Sequence, residues 1–145
     1  QMYGWPQLGR RANPASAWIA TLRAGKTISV VDDVISEPLW AGDAADAIYR
    51  LIAQPLSGPI NISGGEAVTL YRFAEHVAHE FGLDAGLISS TSSRSFADLA
   101  PRPHETRFTL YRARNELMIS PLGLESGLRE LRLEESNLLP RVQSV

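Results

Sequence analysis

Between Thr69 and Gly82, the apolar residues Leu70, Phe73, Ala74, Val77, Ala78 and Phe81 recur every three or four positions. That period places them along one face of a helix. Thr69 suits its N-terminus, because a hydroxyl can accept a free N–H of the first turn, and Gly82 suits its end. Around this helix the chain alternates helical and extended signals. Asn13-Pro14 opens a helix running through Trp18 and Leu22 to a stop at Gly25. Thr27-Ile28-Ser29-Val30-Val31 is β-branched and alternating, so it reads as a strand. Gly42-Asp43 opens an amphipathic helix with Ala44, Ala45, Ile48, Leu51 and Ile52 at helical spacing, ended by Gln54-Pro55. Ile60-Asn61-Ile62-Ser63 and Leu87-Ile88-Ser89 read as further short strands, and residues 90–107 as a polar, irregular surface segment. A short helix is predicted over 111–118 and a last one over 124–133, with 134–145 as a fraying tail. The fold class is α/β, rich in helix, with short strands.

The rest of the composition mainly excludes. A net charge of −2, with thirteen arginines and one lysine scattered along the chain, gives no electrostatic basis for binding nucleic acid. Zero cysteines exclude disulfides and thiolate metal sites. No apolar run approaches the roughly 20 residues of a membrane span. The balance fits a soluble, cytoplasmic protein.

Several motifs invite chemistry and have a plainer reading beside it. Gly64-Gly65 lacks both the Gly-Lys-Ser/Thr continuation and the dinucleotide fingerprint spacing, so turn geometry accounts for it better than a phosphate cradle. His76 and His79 share a helix face with Glu75 or Glu80, but no third ligand cluster completes a metal site. Asp43 reads as a carboxylate set at a helix N-terminus by the helix dipole. Trp5, Trp18 and Trp40 read as core or lid.

Met2-Tyr3-Gly4, the run Asp32-Asp33-Val34-Ile35-Ser36-Glu37-Pro38, the helix led by Asp43-Ala44-Ala45, Ile60-Asn61-Ile62-Ser63-Gly64-Gly65, Tyr71-Arg72-Phe73-Ala74, Ala100-Pro101-Arg102-Pro103 and Leu122-Gly123-Leu124 follow one another in a telling order. Together they resemble the C-terminal, substrate-binding half of the extended short-chain dehydrogenase/reductases, most closely the dTDP-4-dehydrorhamnose reductases. The resemblance covers residues 1–133. It departs from the pattern at Gln1, where some of these reductases carry tryptophan, and at Leu110-Tyr111, which replaces a Leu-Asp pair.

The resemblance implies a nucleotide-sugar substrate, met by Arg102, His104, Tyr3 and Pro38. Arg102 suits a diphosphate, since a guanidinium forks onto phosphate oxygens, although a structural arginine before a rigid proline is the plainer alternative. It also implies NAD(P) for a full-length parent, bound by a Rossmann half that this chain lacks. No glycine fingerprint is present, and none of Tyr3, Tyr49, Tyr71 and Tyr111 has a lysine four residues on. No catalytic or metal-binding residue is therefore expected here, and no cofactor bound by this chain alone. Two functions stand open: the sugar-binding part of a reductase, inactive alone, or a non-catalytic regulatory module of the same ancestry, similar to the regulatory subunit of methionine adenosyltransferase. With a missing half, exposed edges and apolar faces would favour a homo-oligomer.

Overall fold

In the computed structural model, which describes residues 1–7, 9–96 and 103–142, the helices begin where their caps lie. The elements in chain order are β1 (Met2–Tyr3), α1 (Pro14–Arg23), β2 (Ile28–Val31), β3 (Ile35–Ser36), β4 (Leu39–Trp40), α2 (Ala41–Ala53), β5 (Val68–Thr69), α3 (Leu70–Phe81), β6 (Ile88–Thr91), β7 (Glu105–Thr106), α4 (Tyr111–Glu116) and α5 (Leu124–Val142). Asn13 Oδ1 accepts the Ser16 N–H at 3.2 Å to start α1, and Thr69 Oγ1 accepts the Arg72 N–H at 3.1 Å to start α3. Gly82 ends α3 at φ 62°, a left-handed conformation that costs a residue without Cβ nothing.

The apolar face of α3 organises the packing. Phe73, Val77 and Phe81 meet Ala15 and Ile19 of α1, Leu124, Leu128 and Leu131 of α5, and Tyr3 of β1. Ala74 and Ala78, one step round the helix, meet Leu22, Val30 and Ile88, so the same helix also covers the β2–β6 pair. Burying a side chain such as Phe73 or Leu128 contributes roughly 1.5–3 kcal/mol. A separate, smaller cluster joins Ala47 of α2 to Leu117 and Ile119, flanked by Leu51, Leu56, Ile60 and Ile62.

The strands are short and mostly parallel. β2 and β6 pair in parallel from Ile28 opposite Ile88 to Val31 opposite Thr91. β1 pairs in parallel with β4, and β3 lies between antiparallel β5 and parallel β7. Among the described residues, no helix is long and apolar enough to cross a membrane.

The α/β class and the helix-rich make-up stand as read. Four local expectations do not, the first being the irregular reading of 90–107, since β6 runs to Thr91 and β7 occupies Glu105–Thr106. Residues 60–63 form no strand, because among the described residues nothing pairs with them. Helix α2 forms as expected but buries Ala47, whereas Ile48 and Ile52 are 59% and 70% exposed. Helix α5 does not stop at Leu133 but runs to Val142, helped by Arg23, whose guanidinium grips Glu135 through two contacts of 2.6 and 2.8 Å.

Candidate functional site

Ligands of α/β proteins collect at the carboxyl ends of parallel strands, where loops diverge and backbone groups are free. Here those ends belong to β2 and β6, and the connection 32–38 crosses in front of them. The Asp32 N–H donates to the Thr91 carbonyl at 3.0 Å, and the Ser90 hydroxyl donates to Asp32 at 2.9 Å. Asp33 accepts the Ser92 hydroxyl at 2.8 Å, the Ser93 N–H at 2.9 Å and the Ser93 hydroxyl at 3.1 Å. These donors, the Ser92 hydroxyl first, hold the Asp33 carboxyl below its ordinary pKa, because each bond favours the charged form.

Four residues on, Glu37 does the same for two other segments. One carboxylate oxygen, Oε2, accepts the Ser63 hydroxyl at 2.7 Å and the Phe108 N–H at 2.9 Å. Its carbonyl accepts the Gly64 N–H at 3.2 Å. Residues 103–108 and 63–64 are therefore both tied to the 32–38 connection. Within 103–108, His104 is exposed, and its Nδ1 lies 3.3 Å from the Asp33 carbonyl oxygen. A hydrogen on Nδ1 satisfies that carbonyl and leaves Nε2 as an outward acceptor.

Of the four residues expected to meet a ligand, only His104 is described on this surface. Pro38 is buried, and its carbonyl would sit 1.9 Å from a Cβ added at Gly64. Tyr3 is 2% exposed, packed against Phe73 at 5.3 Å between ring centres, on the side of α5. Burial first, and then the charge of Asp43, push its phenol well above the ordinary tyrosine value, so it stays protonated. Tyr3 and Pro38 thus lie inside the packing, where neither offers a ligand a contact surface. Arg102 lies outside the described residues. Of the residues that build the site, Asp33 and Glu37 lie in the 32–38 run and Ser63 in the 60–65 run that carry the resemblance, whereas the Ser92-Ser93 pair was not singled out from the sequence. Their polarity was visible there, but not their partners, which are 26 to 71 positions away.

Among the described residues, the glycine pair most suggestive of a dinucleotide loop is taken up by packing. The Gly64-Gly65 pair is no cradle: a Cβ on Gly65 would meet the Pro121 carbonyl at 2.6 Å, and both glycine N–H groups are bonded to neighbouring backbone. At the N-termini of α1, α3 and α5, one N–H each is taken by Asn13, Thr69 and Glu66. Among the described residues, no group of three or more His, Asp or Glu side chains is placed to hold a metal ion.

The model of the RmlD substrate binding domain matches residues 7–136. The chain belongs to this family. It is 30% identical over 110 residues to the spore coat polysaccharide biosynthesis protein SpsK of Bacillus subtilis (strain 168), covering 76% of this chain and 38% of SpsK. It is 32% identical over 80 residues to the probable dTDP-4,6-dihydroxy-2-methyloxan-3-one 4-ketoreductase of Streptomyces antibioticus, covering 54% of this chain and 27% of that protein. The crystal structure of dTDP-4-dehydrorhamnose reductase from Bacillus anthracis str. Ames, in complex with NADP, superposes with a TM-score of 0.80 at 24% identity, over 92% of this chain and 46% of that one. At that identity the superposition speaks for the fold alone. The resemblance to the dTDP-4-dehydrorhamnose reductase family is borne out, and this RmlD-family domain spans less than half the length of each of these relatives.

Proposed function

We propose that this RmlD-family chain is the substrate-binding lobe of a nicotinamide-dependent nucleotide-sugar reductase, and that it transfers no hydride by itself. The observation that carries the reading is the surface at the ends of β2 and β6, bordered by 32–38 and 103–108, in a domain of the RmlD family. In this reading the outward face of His104, together with Arg102, meets the sugar nucleotide. NAD(P) is bound by a dinucleotide-binding half outside these 145 residues. The length of the relatives supports that division. So does the exposed apolar surface of Ile48, Ile52 and Met118, together with residues 60–63, which pair with no other strand among the described residues; it suits packing against a further body, whether that half or a second copy in a homo-oligomer. A cytoplasmic setting, where sugar nucleotides and reduced nicotinamide are available, goes with it.

Calorimetric titration with thymidine diphosphate tests the binding claim, with saturable heat as the expected result and none at millimolar nucleotide as the failure. Mixing the chain with NADPH and a dTDP-4-keto sugar tests the other. Oxidation of NADPH above the blank would show that these residues reduce the sugar unaided.

A further inference from the structure

The wall formed by residues 103–108 has little to hold it in place. β7 contributes two residues to its ladder with β3, supplemented by the Ile35 N–H donating to the His104 carbonyl at 2.7 Å and the Thr106 hydroxyl reaching Ile35 at 3.4 Å. So short a ladder is weak on its own. Glu37 supplies what is missing. One oxygen of its carboxylate accepts both the Ser63 hydroxyl, from a buried residue, and the Phe108 N–H just beyond β7. Its carbonyl is fixed in turn by Gly64, so the side chain has a rigid base on both its main-chain and carboxylate ends.

We infer that Glu37 is a positioning residue for the surface at the strand ends: its carboxylate clamps Phe108 to Ser63 and thereby sets where His104 stands. A hydrogen bond to a carboxylate is stronger than one to a neutral acceptor and loses strength when the charge is removed. Alanine should therefore release the segment, and glutamine should hold it partly. Asp33 anchors residues 92–93 independently, so releasing Glu37 loosens one wall and not the other.

Hydrogen exchange of individual amides in the intact chain tests this. In Glu37→Ala the Phe108 amide should exchange about tenfold faster or more, with Glu105 to Arg107 following, while the amides of α3 keep their protection. Glu37→Gln should fall between the wild type and alanine. Exchange at Phe108 that stays at the wild-type rate in the glutamine variant overturns the proposal, whether or not the alanine variant folds. Faster exchange shared equally by α3 overturns it too, because that is general destabilisation. The ligand arm rests on the reading above: thymidine diphosphate should bind at least severalfold more weakly to Glu37→Ala, with partial recovery in Glu37→Gln. Unchanged affinity in the alanine variant sinks the inference, whereas a wild type that binds no nucleotide sinks the functional reading and leaves exchange to decide the clamp.

Discussion

The carboxylate of Asp43 accepts the backbone N–H of Leu122 at 2.8 Å, tying the first turn of α2 to the chain that leads into α5. Helix-dipole logic from sequence placed a carboxylate here, but its partner lies across the fold. Asp43→Ala should lower the unfolding free energy in urea by about 1–2 kcal/mol, because the Leu122 N–H loses its acceptor. Asp43→Asn keeps an acceptor and should lose less. Equal losses in the two variants would mean that the contact matters only as charge.

Asp33 and Asp43 should respond to acid in opposite senses. The Ser92 and Ser93 donors lower the folded pKa of Asp33, so its contribution is present above its ordinary value of 3.8 and disappears as pH falls through the lower folded value. Burial raises the folded pKa of Asp43, so its contribution is fully present below 3.8 and is lost as pH rises through the higher folded value. Denaturation curves collected from pH 3 to pH 7 should show a shallower acid loss of stability in Asp33→Asn. In Asp43→Asn, the loss on raising pH above the ordinary aspartate range should be smaller than in the wild type. Parallel profiles for wild type and both variants would contradict the assigned shifts.

Gly127 lies inside α5, where alanine would ordinarily help a helix by about 1 kcal/mol. Here an added Cβ would stand 2.1 Å from the Tyr3 hydroxyl oxygen, with the ring carbon behind it and Trp40 both at 3.3 Å. Gly127→Ala should therefore cost about 1–3 kcal/mol through forced repacking. In a Tyr3→Phe background most of that cost should vanish. A double-mutant cycle measures the coupling, and a cycle that closes additively would show that the hydroxyl is not the obstacle.

The Ser36 hydroxyl is buried and finds no hydrogen-bond partner among the described residues. An unpaired buried hydroxyl is costly, so Ser36→Ala should raise the unfolding free energy by about 1 kcal/mol. A thermal melt is a sufficient test, and a lowered midpoint would show that the hydroxyl is paired in solution.

What was legible in the sequence was local. The period of Phe73, Val77 and Phe81, the Thr69 cap and the αL position of Gly82 all depend on residues within a turn or two of one another, and α3 stands where they place it. The β-branched run at 28–31 likewise sufficed for β2. The order of weak motifs sufficed for the family, because order survives even where single residues change. Tertiary structure decided everything that needs a distant partner. Ile60 to Ser63 has the residue types of a strand, yet a strand exists only when another offers its backbone groups, and none described here does. Ile48 and Ile52 have helical spacing, but which side of α2 faces inward was settled by where Leu117 and Ile119 arrive. Gly64 is a glycine because Pro38 crosses against it, and Glu37 matters because Ser63 and Phe108 meet at one of its oxygens. Local periodicity encodes elements; the contacts that make a site form only when chain segments tens of residues apart are brought within 3 Å.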